Sequence, residues 1–280
     1  MKVLSTLHIK IVFYFLLSGL LFPPLIHAEI FPDNATPGQL LVLETLPGNT
    51  VEFKKSTIQV SQNGVFIIGF GRDDSGDYPL IISNPISQAI HHIHVKPRTY
   101  KTEKVDGVPK RTVSPPKSVL ERIRKETRQI KQARKRSDDR IDFNGGFSWP
   151  AKGRISGVYG SQRVLNGIPK RPHFGLDIAA PQGTSVKAPA AGIITLAEAD
   201  LFYSGGTIIL DHGLGLTSSF LHLSKILVKP GTYVKQGDII AEIGMTGRAS
   251  GPHLDWRMNL NKDRLDPYLL LPESDNKSKP

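Results

Sequence analysis

The chain has 280 residues, enough for about two domains, and its 39% hydrophobic and 22% charged residues exclude a wholly disordered polypeptide. It has no cysteine, which excludes a disulfide framework and a thiolate metal site and leaves any zinc to histidine and carboxylate. With 26 Gly and 21 Pro against 3 Met, turns and short strands outweigh helical bundles, and the expected class is mainly β.

The first segment carries Lys2 and Lys10, then an almost wholly apolar run over residues 11–21, then Pro23-Pro24 and Ile26-His27-Ala28. This is the pattern of a secretory signal peptide, residues 1–28, with cleavage before Glu29. Its apolar run is shorter than the roughly 20 residues of a bilayer span, so an uncleaved anchor is the less favoured alternative. Export to the periplasm is expected, and His8 and His27 leave with the leader.

Residues 29–100 alternate short apolar runs, such as Gln39-Leu40-Leu41-Val42-Leu43 and Gly64-Val65-Phe66-Ile67-Ile68, with turn signals such as Pro47-Gly48-Asn49. The spacing predicts a small N-terminal β-sandwich without an array of acids, bases or nucleophiles. His91, His92 and His94 invite a metal reading. Strand alternation, however, separates His91 from the other two, and no nearby carboxylate completes a set, so they are expected to be solvated.

The basicity is local. Residues 96–140 hold 16 Lys and Arg against 6 Asp and Glu, a difference of +10 out of the formal +11. Residues 101–146 are expected to form a basic linker, with a helix from Val119 towards Ser137 capped by Ser118 and preceded by Pro115-Pro116. Val119, Ile123, Ile130 and Ala133 make a thin apolar stripe, so the helix should lie on a domain surface. Its charge fits attraction to an anionic envelope surface or, equally, simple solvation. Nucleic acid is not an expected partner, since no base-reading module is visible.

From Phe147 onward a second β-rich region opens, and three clusters within it carry chemistry. His173-Phe174-Gly175-Leu176-Asp177 sets an imidazole and a carboxylate four residues apart, on one face of either a helix or, as the flanking residues suggest, a strand. Phe220-Leu221-His222-Leu223-Ser224 brings a second histidine. Gly251-Pro252-His253-Leu254-Asp255-Trp256 brings the third, and in an extended strand His253 and Asp255 share one side while Trp256 turns into the core. His212, within Asp211-His212-Gly213, is assigned to structure, and Tyr159 and Arg163 are groove-lining candidates.

Taken in this order, the clusters resemble the lysostaphin-type, or LytM-like, zinc metallopeptidases, peptidoglycan endopeptidases with the pattern H-x-x-x-D, an H-L-S type strand, and G-P-H-x-H. The likeness covers about residues 147–267 and includes the β-turn rhythm of residues 183–192, 206–213 and 228–238. The N-terminal β region and basic helix also look like the extra module of some proteobacterial members. The resemblance implies a β-sheet domain with a groove over residues 147–270, followed by a disordered tail at 271–280. It further implies one Zn2+ held by His173, Asp177 and the third-motif ligand position, with His222 and His253 acting on water and the developing oxyanion. Peptide bonds in peptidoglycan stems or crosslinks are the implied substrate.

At that third position the family has histidine and this chain has Asp255. A carboxylate oxygen lies two bonds from Cβ, as does the nearer imidazole nitrogen, so Asp255 can replace a histidine that bound through that atom. A second anionic ligand would weaken the ion's Lewis acidity and slow hydrolysis or move its optimum alkaline. The alternative function is a weakened or inactive LytM-like factor that binds peptidoglycan or regulates a cell-wall amidase, with a divisome or amidase partner.

Overall fold

The computed structural model describes residues 31–272, so the expected signal peptide and all but the first two residues of the expected tail lie outside the described residues. The N-terminal strands are β1 (Asn34–Ala35), β2 (Leu40–Glu44), β3 (Thr50–Phe53), β4 (Ser56–Ile58), β5 (Val65–Gly69), β6 (Gly76–Ser83) and β7 (Gln88–Val95). Five of them form a sheet in the order β1-β7-β6-β3-β4, and β2 and β5 form a separate ribbon. Leu41, Leu43, Phe66 and Ile68 of the ribbon meet Val51, Phe53, Leu80, Ile82, Ile93 and Val95 of the sheet. Leu40 and Ile67, on the ribbon's other face, belong to the main core of the chain. A ribbon buried on both sides explains why β5 is uninterruptedly apolar rather than alternating.

The basic segment is more structured than a linker. It supplies β8 (Thr102–Val105), a short helix α1 (Lys110–Val113), a 3-10 turn at Lys117–Val119 and α2 (Leu120–Ala133). Ser118 does not cap α2: it sits inside the 3-10 turn, and Val119 takes the N-cap position without a side-chain bond. The helix also ends at Ala133 rather than Ser137. Its apolar stripe does lie on a surface, where Ile130 and Ala133 pack against Leu196, Leu201 and Ile209. Glu126 accepts from the backbone N of Phe202 at 2.8 Å, and Arg122 reaches the Asp200 carboxylate at 3.0 Å, tying the helix to a hairpin.

The remaining strands are β9 (Arg154–Gly157), β10 (Gln162–Leu165), β11 (Ile168–Pro169), β12 (Leu176–Ala179), β13 (Ser185–Lys187), β14 (Gly192–Leu201), β15 (Gly205–Gly213), β16 (Leu216–Ile226), β17 (Tyr233–Val234), β18 (Ile239–Ile243), β19 (His253–Leu260) and β20 (Asp263–Leu265). The main path is β17-β14-β15-β16-β19-β12-β9, with β18 joining β13 and β16, and β20 joining β19. β8 pairs in parallel with β10, so the basic segment builds part of a small sheet with β11. The chain is thus mainly β, as its composition indicates.

Register places the chemistry. Leu176, Trp256 and Phe220 are cross-strand partners on β12, β19 and β16, and all are fully buried in the core. One residue along, Asp177, Asp255 and Leu221 form the next row, which faces the opposite side of the sheet. The outward turn of Asp255 and the inward turn of Trp256 follow the alternation read from the sequence.

Candidate metal centre

His173 is not on a strand. It lies in the loop before β12, and the loop rather than strand periodicity returns its imidazole over the sheet to Asp177. Its Nε2 comes within 3.0 Å of Asp177 Oδ1, and both atoms are buried without a hydrogen-bond partner. One ligand atom each from His173, Asp177 and Asp255 lies within 4.8 Å of the others, and all three residues are buried. Tetrahedral ligands at about 2.0–2.2 Å from zinc stand about 3.3–3.6 Å apart, a separation that the 3.0 Å His173–Asp177 spacing and the 4.8 Å limit on the whole set bracket. A buried imidazole nitrogen and a buried carboxylate oxygen that converge this closely fit a shared cation.

The other two histidines stand beside this cluster. His222 Nδ1 is 2.8 Å from the Thr246 carbonyl, and His253 Nδ1 is 2.8 Å from the Gly251 carbonyl. A carbonyl only accepts, so each Nδ1 carries the ring proton and each Nε2 keeps its lone pair. The rings lie 4.8 Å apart, and His253 Nε2 is 4.0 Å from Asp177 Oδ1. Strict alternation after Leu221 would aim His222 into the core. Its φ of +65° and the bulge that follows it turn the side chain to the groove instead. Burial, with His253 adding to it, pushes the His222 pKa down to about 4, so the ring is neutral at pH 7.

Sequence reasoning missed Arg257 and named Arg163 only as a groove-lining candidate. Arg257 Nε lies 2.9 and 3.1 Å from the two Asp255 oxygens, and its Nη2 lies 2.5 Å from Oδ2. Arg163 donates to Asp177 Oδ2, and its Nε is 3.6 Å from Glu103 on β8. Burial alone would raise the Asp255 carboxyl, but Arg257 outweighs it and the value falls to about 2. Burial likewise opposes ionisation of Asp177, and His173, Arg163 and His253 hold it well below the usual carboxylate range. The spacing signal existed: residues 255 and 257 share a strand face. Gly175 makes room for this pair, since a Cβ there would overlap Asp255 Oδ1 and lie 2.8 Å from Arg257 Cγ.

The other described histidines lie elsewhere. His212 is fully buried on β15, with Nδ1 2.6 Å from the Ala191 carbonyl and Nε2 2.8 Å from Ser218 Oγ. Carboxylates do approach the β7 histidines, contrary to expectation, but singly: Asp33 stands 3.6 Å from His91 and Asp77 2.8 Å from His94. Tyr159 is core, bonding the Arg264 carbonyl at 2.7 Å, whereas Arg163 is part of the centre.

A mainly β fold with a buried His, Asp and Asp group on one sheet face is the architecture of a metallopeptidase. The peptidase family M23 pattern matches residues 171–267. The solved structure of a candidate M23 peptidase from Pseudomonas aeruginosa has a TM-score of 0.65 and 30% identity, covering 84% of this chain and 94% of that one. The chain belongs to peptidase family M23. That coverage also reaches past the C-terminal sheet into the N-terminal strands. The peptidoglycan DD-endopeptidase ShyA of Vibrio cholerae is 39% identical over 110 residues, 39% of this chain and 25% of ShyA. The DD-carboxypeptidase/endopeptidase Mpg of Neisseria meningitidis serogroup B is 38% identical over 97 residues, 35% of this chain and 22% of Mpg. The chain therefore spans about a quarter of the length of these curated relatives.

Proposed function

We propose that this chain is an exported zinc-dependent endopeptidase that hydrolyses peptide bonds in peptidoglycan. What supports it most is one observation: His173 Nε2 and Asp177 Oδ1 are buried, unpartnered and 3.0 Å apart, with Asp255 closing the set. The M23 relatives named for peptidoglycan endopeptidase activity support the substrate class. Export is read from residues 1–28 alone, and the amino-terminal sequence of the protein recovered from cells tests it, with Glu29 expected first.

His173, Asp177 and Asp255 would hold the ion, which supplies Lewis acidity that polarises an amide carbonyl and acidifies water. His222, neutral and anchored through Nδ1, offers Nε2 as an acceptor that orients the attacking water. His253 offers its Nε2 from beside Asp177 and takes the proton. Neither Nε2 can donate until it has been protonated, so the histidine that takes the water proton is also the one that can then bond the oxyanion or protonate the leaving amine. Arg257 offsets the second carboxylate: the Asp255–Arg257 pair presents an oxygen ligand with no net charge, as the family's histidine would.

The same pair favours a second reading, a wall-binding regulator without hydrolysis, because Arg257 engages both Asp255 oxygens. Metal content of the purified protein, measured with release of peptides from purified peptidoglycan, separates the two. The enzyme retains about one zinc per chain and releases peptides, whereas a metal-free, inactive wild type belongs to the regulator.

A further inference from the structure

On the groove face of β19, Asp255 is followed by Arg257 and Asn259, since alternate residues share a side. Opposite Arg257 stands Ser219 of β16, and opposite Asn259 stand Thr217 of β16 and Arg264 of β20. From the C-cap of α2, Arg134 reaches over this row and donates from Nη2 to Ser219 Oγ at 2.8 Å. Three guanidinium groups therefore gather on one stretch of sheet.

Their charges are not matched. Arg257 is paired with Asp255, whereas Arg134 bonds the neutral Ser219 and Arg264 bonds the neutral Asn259 Oδ1 at 3.2 Å. Among the described residues, neither Arg134 nor Arg264 has a carboxylate in ion-pair range. Arg134 Nε and Thr217 Oγ1 are buried without hydrogen-bond partners. Burial, reinforced by the neighbouring Arg264 and Arg257, lowers Arg134 to about 9. Burial and Arg257 lower Arg264 to about 10. Withdrawing like charges from water without a counter-ion is unfavourable, and a ligand that brings the missing anion reverses the sign of that interaction. The fork of a guanidinium matches a carboxylate oxygen for oxygen.

We propose that Arg134 and Arg264, with Arg257 between them and the metal ligands, form a subsite for a carboxylate. Resting on the peptidase reading, this makes the substrate an anionic peptide. Arg257 lies two residues and Asn259, opposite Arg264, four residues along the strand from Asp255, or ~7 and ~14 Å at the rise of an extended chain. An extended substrate lying along β19 would thus present its carboxylate about two to four residues from the bond that is cut.

The test is glutarate titrated into the full chain, stripped of metal with phenanthroline, at constant ionic strength and followed by thermal denaturation. Wild type should show saturable stabilisation, weakened at least about tenfold in Arg134→Gln and in Arg264→Gln. Arg134→Lys keeps the charge but not the fork, so it should bind more weakly than wild type yet more tightly than Arg134→Gln, and this partial rescue guards against a variant that merely folds poorly. Arg124→Gln, on the exposed face of α2, should behave as wild type. Stabilisation no greater than chloride gives, or equal in the Gln variants and wild type, overturns the subsite. Glutarate binding that needs Arg134 and Arg264 sustains it even if peptidoglycan is left intact, an outcome that would remove only the peptidase reading.

Discussion

Replacing Arg257 by Gln removes the partner of a carboxylate that is 1% exposed and leaves two buried carboxylates, Asp177 and Asp255, facing each other. Breaking a buried ion pair from one side costs about 3–5 kcal/mol. The Arg257 side chain is a quarter exposed, at 25%, so water screens part of the effect and the lower figure, about 3 kcal/mol, applies. For a fold of this size that is a fall of ~6–12 °C in the melting temperature of the metal-free protein. Zinc bound as proposed would supply the missing counter-charge and bind the variant more tightly than wild type, and at saturating zinc the gap should narrow by about 1.4 kcal/mol for each tenfold difference in Kd. The pair also has a pH signature. Because Asp255 titrates at about 2 in the fold against 3.8 ordinarily, its contribution is full above pH 4 and is lost as pH falls through 2. Differential scanning calorimetry with and without chelator reads all of this. Equal melting of variant and wild type in chelator, or a gap that zinc leaves unchanged, refutes the counter-charge role of Arg257.

Three further outcomes follow from the same geometry. Asp255→His alone should bind zinc less well than the double variant Asp255→His/Arg257→Gln, because the single change strands a guanidinium beside a dication; equilibrium dialysis should show coupling of ~0.5–3 kcal/mol, and additivity would count against it. Burial lowers the His212 pKa to about 4 against 6.5 ordinarily, so its contribution is full above pH 6.5 and declines as pH falls to 4. His212→Gln should remove ~1.4 kcal/mol per pH unit from the slope of unfolding free energy across that window, as urea melts at several pH values would reveal. Gly175→Ala places a methyl group against Asp255 and Arg257 and should cost ~1–3 kcal/mol together with most of the zinc affinity; wild-type affinity would mean the pair is not where it is drawn.

Much of the centre was legible in the sequence because strand alternation is a strong rule. It put His253 and Asp255 on one face and Trp256 on the other, whereas His173 and Asp177 stand out only through the resemblance carried by the three clusters together, the H-x-x-x-D spacing being weak by itself. What alternation could not supply was any departure from it. His222 reaches the groove only through a left-handed backbone and a bulge, and no glycine or asparagine at 222 announced them. His173 arrives from a loop whose path depends on tertiary contacts, among them its backbone N bonded to the Ser161 carbonyl at 2.8 Å. Asp255 and Arg257 share a face, but alternation alone does not distinguish a counter-charge from a solvated arginine. The strand at Thr102–Val105 was hidden in a segment whose charge suggested a linker, and only its partner β10 makes it a strand. The sequence indicates α2, but the helix starts after Ser118, which falls within a 3-10 turn that follows the Pro pair.

As proposed, His173, Asp177 and Asp255 together hold a zinc ion with which this chain cuts peptidoglycan. The most direct test is peptide release from purified peptidoglycan by metal-stripped protein to which zinc is returned, comparing wild type with His173→Ala. Release should appear only with zinc, saturate near one ion per chain, and fall at least ~100-fold in the variant. Release by wild type that is absent at every zinc concentration, or equal in His173→Ala, contradicts the proposal.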